Sequence, residues 1–368
     1  MTWEPDRLDD QAHLSEADPS GMLPAVAASA AHVRTGHRAA AEAQLDRLAA
    51  HGRPRAVVVA GMGGSGIAGD MLAAVAGPGV PLPIVTLRSY QLPGWVGATD
   101  LVIAVSGSGD TEETLSIATQ AVRRGCALLG VGPARSPLEA IAVQASAPYV
   151  AVPVGGESRA GLWLLAVPPI VAAAALRLVP AEADLFERVA GVLEDMAHRC
   201  RPSSDSFINP GKSLALDLAE SVPVIWGTSA VTRVAAVRLA GQLNTNAKYP
   251  ALCGELPEAG HNQVAVLDGP LAERDIFADS AGWTLRLVLL RDVEEHPQVT
   301  RQRETVLRLA RDRGVPVTEL AAEGTHPLER MASLIGLGDY ASTYLALGYG
   351  IDPTPVSAIT ELKARISQ

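Results

Sequence analysis

Lysine is nearly missing from this chain: Lys212, Lys248 and Lys363 are the only ones among 368 residues, and arginine supplies the remaining positive charge. Acids outnumber Lys and Arg by 40 to 30, a net charge of −10, which excludes the broad basic face that grips nucleic acid. Aromatic residues are scarce at 4%, so the cores must be filled by Ala, Val, Leu and Ile, and the 48% hydrophobic content supports two ordinary domains. Cysteine is scarce too. Cys126, Cys200 and Cys253 are an odd number without CxxC spacing, which argues against a disulfide framework and a zinc site and for a reducing cytoplasm. The opening MTWEPDRLDD is acidic and polar, unlike a secretory leader. The longest apolar stretch, AGLWLLAVPPIVAAAALRLV from Ala160, is interrupted by two prolines and reads as a buried helix rather than a membrane span.

What is present is a repeated alternation. Residues 22–51 are Ala-rich and read as helix. AVVVAG (56–61), LPIVTLRSY (82–90), DLVIAVSGSGD (100–110), CALLGVG (126–132) and PYVAVPVG (148–155) are short β-branched runs with helical stretches between them. Such β-α-β order predicts a parallel, doubly wound sheet. A charged helical segment follows to residue 200, then the polar break RPSSDSFINPG (201–211). A second cycle follows: helix 211–220, strand VPVIWG (222–227), helix 229–243, and strands near 264–267, 283–290 and 316–320. Thr228 and Ser229 after that strand stand roughly where Gly64 and Ser65 stand in the first cycle. The chain closes with DPTPVSAITELKARISQ, a Pro-started helix carrying Lys363.

The loop GMGGSG (61–66) satisfies GxGxxG between a strand and a helix, the setting of a phosphate-binding turn. A dinucleotide site calls for an acid at the end of the next strand, and VTLRSYQLPG offers only Arg88, which leaves an NADP reading as a distant alternative. A Walker A loop is excluded because no Gly-Lys-Ser/Thr follows. The plain alternative is a tight turn that only glycine permits. The third strand tips the balance, since it ends in SGSGDTEETL (106–115), with Ser106, Ser108, Thr111 and Thr114 at the start of a helix. Helix capping by Asp110 or Thr111 accounts for one hydroxyl, not four. Backbone N–H groups, the helix dipole and hydroxyls together suit a phosphate monoester at the C-terminal ends of adjacent strands.

With those loops in view, the chain resembles the sugar isomerase (SIS) domain, on GMGGSGIAGD and SGSGDTEET. RLAGQLNTNAKYPALCGELPEAGHNQV (238–264) and the terminal DPTPVSAITELK extend the resemblance to the bifunctional phosphoglucose/phosphomannose isomerase family, over nearly the whole chain. The fold it implies is α/β: two SIS-type doubly wound parallel sheets flanked by helices, with N- and C-terminal helical extensions. The expected divisions are an N-terminal extension (1–50), SIS domain 1 (51–180), a helical linker (181–210), SIS domain 2 (211–345) and a C-terminal tail (346–368). The activity it implies is aldose–ketose isomerisation of hexose 6-phosphates through an enediolate, with no metal or organic cofactor. The implied assembly is a cytoplasmic homodimer with active sites at the subunit interface, binding neither nucleic acid nor membrane.

Residue by residue, the resemblance assigns the phosphate to Gly64, Ser65, Ser106, Ser108 and Thr111. Arg159, in GGESRAGL, matches the arginine that stabilises the enediolate; the alternative for it is a surface ion pair with Glu157. His261, in PEAGHN, matches the ring-opening histidine, and Lys363 matches a lysine near the active site. One departure outweighs the agreements. The family motif is Asn-Glu-Asn-Ala-Lys, whose glutamate moves the proton between C1 and C2, whereas here residues 244–248 are Asn-Thr-Asn-Ala-Lys. Thr245 thus stands at the base position, where a hydroxyl cannot serve near neutral pH. Glu258 or Glu255 is left as a substitute base, against a structural role for Glu258 in its Pro-Glu element. Gly107 and Asp110 also depart from the family's Tyr and Asn, without touching the hydroxyls. Two functions follow from the substitution: an isomerase with a relocated base, or a sugar-phosphate-binding regulatory protein that has lost it.

Overall fold

The computed structural model describes residues 2–153, 158–180, 182, 184–272 and 283–366. It divides into two compact units, one made of Ala27–Glu194 with Gly324–Ala332, the other of Met1–Val26, Asp195–Glu323 and Ser333–Gln368. Along the chain the helices are α1 (Gln11–Ala17), α2 (Met22–Ala27), α3 (Ser29–Glu42), α4 (Gly64–Ala76), α5 (Glu112–Arg123), α6 (Pro137–Gln144) and α7 (Leu162–Ala175). They continue with α8 (Leu185–Arg199), α9 (Pro210–Leu218), α10 (Ala230–Asn246), α11 (Pro297–Asp312), α12 (Pro327–Gly348) and α13 (Ser357–Ile366).

The first unit is built on five parallel strands, β1 (Val57–Ala60), β2 (Ile84–Leu87), β3 (Leu101–Val105), β4 (Ala127–Pro133) and β5 (Tyr149–Val152), in the order β2-β1-β3-β4-β5. VVVA and LVIAV are buried at every position, as strands covered on both faces must be. The order reverses between β1 and β3, which opens a crevice beyond their C-terminal ends. Both glycine-rich loops leave the sheet there. Gly63 has φ +51°, a left-handed turn that glycine adopts without strain. Gly69 lets α4 lie on the sheet, because a side chain there would come within 2.8 Å of Val59 Cβ and 2.7 Å of Thr86 Oγ1. The apolar stretch from Ala160 is the buried helix α7, with Pro168 and Pro169 inside it. Among the described residues no helix is long and apolar enough to cross a membrane.

The second unit carries four parallel strands, β6 (Ser221–Gly227), β7 (Leu252–Glu255), β8 (Thr284–Arg291) and β9 (Val317–Ala321), in the order β7-β6-β8-β9. Its core packs Val224 and Trp226 with Leu287 and Leu289, closed on one face by Val299, Val306 and Ala310 of α11. The order again reverses, between β6 and β8. One expected strand is not a strand. Residues 264–267 lie in a 3-10 turn, Gln263–Asp268, whose Leu267 packs against the core, and the pairing partner of β6 is instead Leu252–Glu255. LCGE is only four residues long, holds a glycine and lies between Pro250 and Pro257, so it lacks the β-branched run that marks a strand. VAVL has that run and is drawn instead onto the apolar face of the sheet.

Candidate functional site

At the crevice of the first unit three hydroxyls meet. Ser106 Oγ lies 2.9 Å from Thr111 Oγ1, and Ser108 Oγ lies 3.5 Å and 3.3 Å from the two of them. Ser106 is fully buried and accepts from the Gly109 N–H at 2.9 Å, which shapes the loop. Ser65, in the first turn of α4, accepts from the Gly107 N–H at 3.3 Å and so joins the two glycine-rich loops. Ser108 is exposed and Gly64 half-buried, so the cluster opens to solvent. Neither α4 nor α5 has a side-chain cap at its N-terminus. Thr111 stands at the N-cap of α5, yet its hydroxyl is turned to Ser106 and Ser108 instead of the helix, contrary to the capping expected for it. By contrast α6 is capped by Ser136 and α10 by Ser229. At α4 the Ser65 and Gly66 N–H groups donate to the Met62 and Gly63 carbonyls, so the start of α5, beside the three hydroxyls, is the better placed to receive an anion without any lysine. Thr114 does not belong to this cluster, since its hydroxyl is buried without a hydrogen-bond partner among the described residues.

The loop is supported from below by residues that the sequence reading passed over. Gly109 has φ +76°, and a side chain on it would come within 2.4 Å of Ser136 Cβ. Ser136 in turn lies 3.0 Å from Tyr149 Oη, which donates to the Pro133 carbonyl at 2.8 Å. Burial, opposed by the Ser136 hydrogen bond, pushes the Tyr149 phenol up to about 12, so it stays a neutral donor. The Ser-Pro-Leu-Glu capping signature at 136–139 was visible in the sequence, but its place under the loop was not. Arg88, the residue that kept the NADP alternative alive, is instead ion-paired with Asp70 of α4. Arg159 sits in a 3-10 turn, Ser158–Ala160, that leads into α7, whose Leu165 lies 3.3 Å from where a side chain on Gly107 would point. Glu157, the alternative partner for Arg159, lies outside the described residues. Next to Arg159, the backbone of Ala160 is hydrogen-bonded to His32 of α3; burial lowers the proton affinity of that imidazole and the hydrogen bond opposes this.

The second unit holds the remaining candidates, at opposite ends of its sheet. Helix α10 starts beyond the C-terminal end of β6 and runs back, so that Tyr249 Oη accepts from Ser221 N at 2.9 Å at the start of β6. Thr245, in the last turn of α10, therefore lies at the N-terminal edge of the sheet, about 22 Å along the helix from Ala230. Its hydroxyl donates to the Gly241 carbonyl at 2.8 Å. Beside it, Lys248 Nζ donates to the carbonyls of Asn246, Asp352 and Pro353 at 3.1, 2.9 and 3.3 Å, which ties the Asn-Thr-Asn-Ala-Lys motif to the segment leading into α13. Lys363 lies on α13, none of whose residues is buried; Ile359, Leu362 and Ile366 form an exposed apolar stripe along it. Lys212, the third lysine, is 1% exposed and donates to the carbonyls of Pro202 and Ser204 and to Asp9.

Glu255, Glu258 and His261 lie at the other edge. Glu255 ends β7 opposite Gly227, and the 3-10 turn Glu258–His261 follows at once. Glu258 and His261 are exposed, and Glu258 Oε1 accepts from Asn262 Nδ2 at 2.8 Å. Burial raises the proton affinity of the Glu255 carboxyl, against the opposing charge of Arg233 at 3.5 Å. Among the described residues no group of three or more His, Cys, Asp or Glu side chains converges as a metal ion would require.

Comparison with known proteins bears on the same segments. Residues 207–366 match the bacterial phospho-glucose isomerase C-terminal SIS domain. The chain is 33% identical to the bifunctional phosphoglucose/phosphomannose isomerase of Caldicellulosiruptor bescii over 85% of this chain and 89% of that protein. It is 29% identical to the enzyme of the same name from Aquifex aeolicus, over 85% and 91%. In fold it is similar to a hypothetical protein of Thermus thermophilus of known crystal structure, with a TM-score of 0.72 at 15% identity, covering 100% of this chain and 99% of that one. Two parallel sheets, each reversing at its first strand, and one-third identity across most of both lengths place this chain in the bifunctional phosphoglucose/phosphomannose isomerase family.

Proposed function

We propose that the chain binds a hexose 6-phosphate at the loops of the first unit and isomerises it between aldose and ketose. The observation that carries the binding half is the uncapped start of α5 beside the hydroxyls of Ser106, Ser108 and Thr111. Ser65 and the Gly64 backbone complete the grip in this reading. His261 opens the ring by taking the proton of the anomeric hydroxyl and returning one to the ring oxygen. A carboxylate then removes the C2 proton, the enediolate forms beside Arg159 and Lys363, the hydroxyl proton passes from O2 to O1, and the carboxyl returns its proton to C1. Such a step needs no metal or organic cofactor.

Thr245 cannot be that carboxylate, and the placement of His261 limits what can replace it. Thr245 and His261 lie at opposite edges of one sheet, so a site containing both positions has to draw them from two copies of the chain. A homodimer with the active site at its interface follows from this reading, and the uncovered apolar stripe of α13 supports it. Glu258 shares a single 3-10 turn with His261 and reaches any site that His261 reaches. We therefore assign it the base role, with Glu255 as the second candidate. The free state of all three cysteines supports a cytoplasmic location.

A second reading is favoured by one residue. If Thr245 marks a lost base, the protein binds a sugar phosphate as a sensor and turns nothing over. A coupled assay of fructose 6-phosphate formed from glucose 6-phosphate and from mannose 6-phosphate separates the two. Wild-type turnover that falls about 10²- to 10⁴-fold in Glu258→Gln supports the relocated base. A silent wild type that gains turnover in Thr245→Glu establishes the sensor instead.

A further inference from the structure

The turn that carries Glu258 and His261 is fastened to the second sheet by two amide side chains. Trp226 of β6 is fully buried, and a buried indole N–H requires an acceptor. It donates to Gln263 Oε1 at 2.6 Å, while Gln263 Nε2 donates to the Cys253 carbonyl of β7 at 3.1 Å. An indole only donates and a carbonyl only accepts, so the amide is held in one orientation, and a carboxylate would serve only the first partner. Gly254, paired with Trp226 across β6 and β7, leaves the room for it. A side chain there would come within 2.8 Å of Gln263 Oε1.

Asn262 continues the chain outward. Its Oδ1 accepts from the Gln263 N–H, which leaves Nδ2 to donate to Glu258 Oε1 at 2.8 Å. Leu256 and Ala259, each 1% exposed, pin the apolar side of the same turn. An exposed glutamate ordinarily moves among several rotamers. Here one carboxylate oxygen is held by Asn262, and Asn262 is joined through Gln263 to the core of the sheet. Glu258 Oε2 has no hydrogen bond among the described residues and is left to take a proton.

We infer that Asn262 and Gln263 are positioning residues that fix the direction of the Glu258 carboxylate from the buried indole of Trp226 outward. Their effect on turnover rests on the relocated-base reading; the clamp itself does not, and the two can fail separately.

Two isosteric variants of the full chain provide the test. Asn262→Asp keeps the oxygen that takes the Gln263 N–H and removes the donor to Glu258. Gln263→Glu keeps the acceptor for Trp226 and removes the donor to Cys253. In the coupled assay each should lower kcat roughly 10- to 100-fold, the effect of a misplaced reacting group, and leave KM for glucose 6-phosphate at its wild-type value. Wild-type kcat in a folded Asn262→Asp protein overturns the inference, and so does a rise in KM with kcat unchanged. In a Glu258→Gln background Asn262→Asp should cost nothing further; an added loss of the same size would show that Asn262 acts elsewhere and overturns it too. Hydrogen exchange over residues 258–263 should quicken in both variants and stay unchanged in β8, and equal rates overturn the inference whatever the turnover. If Gln263→Glu does not fold, Asn262→Asp, altered only at an exposed side chain, carries both measurements. A silent wild type, or wild-type turnover in Glu258→Gln, sinks the base reading alone, because the exchange rates still read the clamp.

Discussion

Ser108→Ala is the most direct probe of the cradle because in Ser108 binding and stability are separable. Its hydroxyl is exposed and its contacts within the loop are long, 3.3 Å to Thr111, 3.5 Å to Ser106 and 3.5 Å from the Asp110 N–H. Truncating it should change folding stability by no more than about 0.5 kcal/mol, as for other surface substitutions. A hydrogen bond to a charged phosphate is worth about 1.5–3 kcal/mol, so affinity for glucose 6-phosphate and for inorganic phosphate should fall about 10- to 100-fold. Ser106→Ala differs in kind. That side chain is fully buried and holds the Gly109 N–H at 2.9 Å, so its loss strands a buried donor and costs about 1–3 kcal/mol of stability beside the loss of binding. Calorimetric titration with both ligands and thermal melts on the two variants give the four numbers needed. Wild-type affinity in a Ser108→Ala protein with a wild-type melting temperature would refute the assignment of the cradle.

Other residues make independent predictions. Glu329 is 4% exposed, and against the opposing effect of burial the His326 N–H, Arg188, and the Thr325 N–H and hydroxyl hold its carboxyl down at about 2. A depressed carboxyl stabilises the fold above its unfolded value of 4.5, and that stability is lost as pH falls from 4.5 towards 2. Glu329→Gln should cost roughly 3 kcal/mol near neutral pH and flatten the acid limb of a urea-unfolding series; an unchanged acid limb would contradict this. Lys248→Met should leave the strands intact and release the segment that its ammonium ties down at Asp352 and Pro353. Hydrogen exchange should then quicken over residues 349–356 and stay unchanged in β6, and equal rates in both proteins would assign the tether elsewhere.

Much of the architecture is legible in local sequence. VVVA, LVIAV and ALLGVGP are runs whose only stable setting is a sheet covered on both faces, and each of the first two ends in a loop rich in glycine and hydroxyls. The reading fails at LCGE and VAVL, where four residues carry too little periodicity to separate a strand from a turn laid on an apolar face. It fails again at Thr111, whose hydroxyl had two partners to choose from, the helix N–H groups and Ser106. Only the shape of the loop, set by Gly109 against Ser136, decides between them.

By itself the sequence determined the fold class, the family, the two glycine- and hydroxyl-rich loops that follow β1 and β3 and the threonine at position 245, because each is carried by contiguous residues. Tertiary structure decided what depends on strand order. It set Thr245 and His261 at opposite edges of one sheet, although they are near neighbours in sequence, because a helix returns the chain to the start of the sheet before β7 carries it forward. It also joined Ser229 to Asp292 across 63 positions, tying the start of α10 to the end of β8 through a contact that no local pattern announces.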